Sequence, residues 1–174
     1  MKKLTIIATG LIMFLGTAVF ANEGEKKSKK DPSPVAASFG GTSVTVTEAI
    51  SKSFTSRFAA AESVTWKQKE GYYFADFKWN KQDMFAAYNE KGELLALSRN
   101  LQLSQLPLHV EMSIRERCKD YKINDLVTEL VFEGETTYHL QVEDKLRYMR
   151  IKSDSYGNID VVKRTKKKLT GSVY

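Results

Sequence analysis

Between residues 44 and 165 the chain alternates twice between two spacings of its apolar side chains. A short stretch with apolar residues every third or fourth position is followed each time by a longer stretch with apolar residues at every second position. The first spacing predicts a helix and the second a set of half-buried strands. Thr47 stands where a helix N-cap is wanted, and Ile50, Phe54 and Phe58 then recur on one stripe. Period two takes over at residues 64–69, 72–79, 84–89 and 94–99, with turns at Glu70-Gly71, Asn80-Lys81-Gln82-Asp83 and Glu90-Lys91-Gly92-Glu93. Four short strands with such turns between them predict an antiparallel meander.

The same order then recurs. Leu106-Pro107 opens a helix, since proline in the first turn lacks only an N–H that would have no partner there. Val110, Ile114, Cys118 and Tyr121 form its apolar stripe, and strands are predicted at 127–133, 136–143, 146–153 and 159–162. A shift of 65 positions carries Tyr73 to Tyr138, Phe77 to Val142, Met84 to Met149 and Gly92 to Gly157. One constant offset keeps core and turn positions in phase, the mark of an internal duplication. The predicted fold class is α+β, a tandem repeat of a helix packed on a four-stranded antiparallel sheet.

Alternation also sorts side chains between the two sheet faces. Tyr73, Ala75, Phe77, Met84, Ala86 and Leu94 are expected under the first helix, and their repeat partners under the second. The other face of the first half then carries Tyr72, Phe74, Asp76, Phe85, Ala87, Leu95 and Leu97. In the second half it carries Thr137, His139, Gln141, Arg150, Lys152 and Asp160. A sheet face that meets only water should be mostly polar, so the apolar set is the candidate partner-binding surface. The alternative is that a loop, the leader or the other half covers those rings.

The beginning of the chain bears on its destination. Lys2 and Lys3 precede an almost wholly apolar run over residues 4–20, and Val19-Phe20-Ala21 offers small residues where a signal peptidase reads. The pattern predicts a secretory signal cleaved after Ala21, and hence a periplasmic or secreted protein. No later apolar run is long enough to span a bilayer. The expected organisation is a signal peptide over 1–21, a flexible charged leader over 22–44, one domain over 45–165 and a basic tail over 166–174. The repeat halves fall at about 45–100 and 105–165. The lone cysteine, Cys118, sits on an apolar helix position and leaves the fold without an internal disulfide.

Charge narrows the partners. Residues 35–162 hold 16 Lys and Arg against 18 Asp and Glu, whereas residues 163–174 hold five cations and no acid. The basicity is thus read as belonging to the tails, where it does not suit nucleic-acid recognition. His109 and His139 show no ligand spacing, so neither a metal site nor any other cofactor is expected. Zinc cysteine pairs, a phosphate loop and a nucleophile elbow are missing, which argues against an enzyme. Asp154-x-x-Gly157-Asn158-x-Asp160 lacks the ligand set of a calcium loop and reads as a hairpin turn.

Val64-Thr65-Trp66, Gly71-Tyr72-Tyr73, Ala75-Asp76-Phe77 and Ala86-Ala87-Tyr88-x-x-x-Gly92-Glu93-Leu94-Leu95 follow the first helix. Leu106-Pro107, a helix, Tyr138-x-Leu140-x-Val142 and Gly157-Asn158 complete the series. Over residues 45–165 this order resembles the PepSY-like, beta-lactamase-inhibitor-like domain of exported bacterial proteins. The resemblance implies a non-catalytic module that engages an envelope protein, a hydrolase or protease among the candidates, through its sheet. Fold alone does not carry inhibition. The other expectation, from a different class, is a carrier or sensor of a small apolar ligand.

Overall fold

A computed structural model describes residues 42–167, which divide after Leu95 into two compact units. The predicted signal peptide, most of the leader and the end of the basic tail lie outside these residues. In the first unit, β1 (Thr42–Ser43) precedes α1 (Glu48–Arg57). Then come β2 (Glu62–Lys69), β3 (Tyr72–Trp79) and β4 (Gln82–Tyr88), after which the chain enters β5 (Leu94–Gln102). Thr47 caps α1 as its sequence predicts: its Oγ1 accepts from the Ile50 N–H at 3.4 Å. The Phe58 N–H closes the helix on the Phe54 carbonyl at 2.9 Å.

The stripe of α1 is buried against an aromatic core. The Phe54 ring lies 5.2 Å from Trp66, 4.9 Å from Phe77 and 5.4 Å from Phe58, mostly edge to face. Phe58 in turn meets Phe77 at 4.8 Å and Trp79 at 5.7 Å. Edge-to-face geometry places the positive rim of one ring on the negative face of the next, adding to the gain from burial. Tyr88 closes the cluster with its hydroxyl buried and unpartnered, and desolvation pushes its pKa up to about 12.

In the second unit, the remainder of β5 leads through a 3-10 turn (Leu103–Gln105) to α2 (Leu108–Arg117). The strands β6 (Lys122–Phe132), β7 (Glu135–Glu143), β8 (Arg147–Asp154) and β9 (Ile159–Lys166) follow. Val110 and Ile114 of α2 pack into an aliphatic core with Leu101, Val127, Leu140, Val142, Met149 and Ile151. Cys118 is buried there, and the burial pushes its thiol pKa up.

In both units the turn after the third strand of the meander touches the helix. A Cβ on Gly92 would lie 2.8 Å from the Ala49 carbonyl oxygen, and one on Gly157 would lie 2.7 Å from Ser113 Oγ. An acceptor side chain organises each turn. Asn89 Oδ1 takes the N–H groups of Lys91 and Glu93, and Asp154 Oδ1 those of Tyr156 and Asn158.

The predicted pair of four-stranded sheets, each with its own helix, is not what forms. The strands are hydrogen-bonded in a single antiparallel series running β1 to β9 in chain order, eight of full length and one of two residues. The reason lies at β5. Arg99 and Asn100 interrupt the apolar alternation and suggest a break, yet the backbone stays extended to Gln102. Residues 96–102 pair with residues 126–132 of β6. Leu101 and Leu103, both buried, carry the alternation past the polar pair. Helix accounts for only two ten-residue segments among the described residues, and the molecule is mostly sheet.

Two strand ends also differ from expectation. β6 begins at Lys122, because a register irregularity between Ile123 and Val127 absorbs the turn-like Asn124-Asp125. β9 runs on to Lys166, so most of the cations assigned to a tail stand on a strand.

Candidate functional site

The candidate surface of the first unit is the sheet face turned away from α1. Tyr72, Phe74 and Asp76 on β3 and Phe85 and Ala87 on β4 share it by alternation, with Lys67 and Lys69 on β2. Phe74 sits opposite Ala87 and Asp76 opposite Phe85, so the two phenylalanines are diagonal neighbours. Their rings stack at 5.9 Å and 19°. The small side chain of Ala87 leaves room for this.

Beside the rings, Lys67 Nζ lies 3.6 Å from Asp76 Oδ2, with both side chains mostly withdrawn from water. Burial pushes the Asp76 carboxyl above its ordinary range, while the charge and hydrogen bond of Lys67 pull it back. Sequence reading had placed Asp76 on this face but did not pick out Lys67. Its signal was available, since Lys67 alternates with Trp66 and must share the face of Phe74.

The five predicted residues do not form the open patch expected of them. Phe74 and Phe85 are 6% and 1% exposed, and Tyr72 and Leu95 are half-buried. Stacking accounts for part of this, as each ring shields a face of the other. Leu97 belongs to the second unit. It pairs with Val131 of β6. The structure brings together Phe74 and Phe85 and sets Tyr72 beside them on β3.

The corresponding face of the second unit is polar. Thr128 Oγ1 bonds Asn100 at 3.0 Å, and Thr137 Oγ1 lies 3.0 Å from His139 Nε2. Burial, with the charges of Arg150 and Lys152 next, pushes the His139 pKa down to about 4. The ring is therefore neutral at pH 7. Burial also lowers the pKa of Arg150.

His109 Nε2 contacts the Ser155 carbonyl at 2.9 Å and so joins α2 to the β8–β9 turn. Among the described residues no cluster of three His, Cys, Asp or Glu side chains could hold a metal ion. Also among them, no helix is long and apolar enough to cross a membrane. Asp154 is occupied as a turn acceptor, and those bonds hold its carboxyl below the usual range.

No family model matches the chain, and neither does any curated protein sequence. Solved structures do. A BLIP-like protein from Bacteroides fragilis is 18% identical, with 75% of this chain and 93% of that one covered at a TM-score of 0.60. A Bacteroides eggerthii protein provisionally assigned to the periplasm is 19% identical, with coverage of 71% and 90% and a TM-score of 0.59. A DUF2874 family protein from Bacteroides ovatus is 20% identical, with coverage of 71% and 89% and a TM-score of 0.60. At such identities the likeness is one of fold. The chain has a BLIP-like fold, and the PepSY-like part of the resemblance is not confirmed by these neighbours.

Proposed function

We propose that this protein is an exported, non-catalytic binding module that engages another envelope protein through the sheet face of its first unit. The observation that carries the reading is the stacked Phe74–Phe85 pair beside the partly desolvated Lys67–Asp76 ion pair, on the face α1 does not cover. Stacked rings make a stiff apolar base, and half-buried Tyr72 and Leu95 are its reachable rim. A partner that covers the rim gains the burial of those side chains. It also meets an ion pair already partly stripped of water, so less desolvation remains to be done. The signal-peptide pattern supports export, and the BLIP-like fold supports a hydrolase or protease as the partner class to try first.

The small-ligand carrier has less behind it. A hollow of about 690 Å³ lies beside α2, but Glu116, Arg117 and Lys119 line it with Ser113 and Asn158. An apolar ligand there would have to desolvate charges. The test of the module is capture from envelope extract by the mature protein and by a Tyr72→Asp/Leu95→Asp variant whose folding is checked by circular dichroism. A partner held by the wild type and lost by the folded variant supports the reading. Equal capture by both overturns it.

A further inference from the structure

β9 has β8 on one side and, among the described residues, no strand on the other. Its outward backbone groups are therefore open to a further strand. Residues 160–164 are exposed, including the adjacent apolar pair Val161 and Val162 at 41% and 46%. Lys163, Arg164 and Lys166 follow, also exposed, and among the described residues none of the three has a carboxylate partner. The one acid on the strand, Asp160, is 3.9 Å from Lys152. Lys167, just beyond the strand, pairs with Glu143 at 2.9 Å. The irregularity between Arg150 and Ile151 leaves Val162 without a register partner, so Lys163 stands on the face of Arg150 and Arg164 on the other.

Lysine on an edge strand commonly guards against pairing. Two neighbouring exposed valines work against such a guard, because they offer a partner apolar contact. A second copy of this chain fits poorly, since antiparallel pairing of β9 with itself in full overlap would set Lys163 and Arg164 opposite valines and bring together two strands that each carry three cations and one acid. We infer that β9 receives an extended acidic segment of another protein, which adds an antiparallel strand to the sheet edge. Read from its N-terminus, that segment has the order acid, any residue, acid, acid, apolar, apolar. The acids lie opposite Lys166, Arg164 and Lys163, and the apolar pair lies opposite Val162 and Val161. Main-chain bonds supply affinity and the alternating side chains supply selectivity.

The surface lies in the second unit and does not depend on the first unit's ring face. The test uses the mature protein and a ten-residue peptide with Glu-Thr-Glu-Glu-Val-Val at its centre, measured by fluorescence anisotropy and amide hydrogen exchange. The expected result is binding that weakens as salt is raised, with slowed exchange along residues 160–166. A Lys163→Glu/Arg164→Glu/Lys166→Glu variant loses at least about tenfold in affinity, and a peptide with lysines in place of its glutamates restores it.

The Tyr72→Asp/Leu95→Asp variant binds the acidic peptide unchanged, which separates this proposal from the one above. Equal binding of a peptide with the same residues in scrambled order overturns the inference. So does peptide binding without protection of β9. Uptake by phosphatidylglycerol vesicles with no binding of the ordered peptide also overturns it, and assigns the cations to a lipid surface.

Discussion

The two units solve one packing problem with different materials. Under α1 the core is a set of interlocking rings, whereas under α2 it is built from branched aliphatics around Val110 and Ile114. The outward faces diverge as well, a stacked phenylalanine pair on one and a threonine, histidine and arginine surface on the other. Backbone pattern and turn chemistry can thus be kept while the side chains on each face change class. What the sheet presents is set by alternate positions that the fold itself does not constrain.

The sharpest way to break the comparison is in the ring core. Phe54→Ala removes a side chain that touches four other rings and should cost about 4 kcal/mol, while Ile114→Val under α2 should cost about 1 kcal/mol. Urea denaturation of each variant reads both. A similar loss from the two would mean that the ring cluster does not concentrate stability.

The turn glycines separate strain from contact. Gly92 and Gly134 have φ of +79° and +83°, but only a Cβ at Gly92 meets backbone, that of Ala49. Gly92→Ala should cost about 3 kcal/mol and Gly134→Ala about 1 kcal/mol, the latter for the left-handed conformation alone. Equal losses would show that α1 shifts freely to make room.

The polar face predicts a pH response carried by a histidine. His139 titrates at about 4 in the fold against an ordinary 6.5. The unfolded chain therefore takes up its proton first as pH falls. This contribution is complete above about pH 6.5, falls between pH 6.5 and 4, and is lost below that, amounting to about 3 kcal/mol. Unfolding curves of the wild type and His139→Gln across that range should converge toward pH 4. Parallel curves would remove His139 as the source.

The smallest effect has the opposite sign. Tyr88→Phe deletes a buried hydroxyl that has no partner and should leave stability unchanged or raise it by about 1 kcal/mol. A clear loss in thermal unfolding would reveal a hydrogen bond to that oxygen.

Local chemistry was the legible part of this sequence. Thr47, Pro107, the α1 stripe and the turn that begins at Asp154 act within a few residues of themselves, and their reading needs no knowledge of the rest. The fold class failed where a long-range pairing outweighed a local signal. Arg99 and Asn100 resemble the end of a strand, and only their pairing with Glu129 and Thr128 keeps β5 extended. β9 was cut short for a similar reason, since cations in succession resemble a solvated tail until β8 pairs with them. Alternation gave the parity of Phe74 and Phe85, but parity does not tell whether a face is exposed.

The order of the strands has a consequence for how the chain acquires its structure. Every strand bonds to the one before it in sequence, so no segment must wait for a distant one to be made. The longest delays are the two passages through a helix, from β1 to β2 and from β5 to β6. For a molecule that is mostly sheet this keeps loop-closure entropy low, and it favours rapid folding that proceeds hairpin by hairpin as the chain emerges.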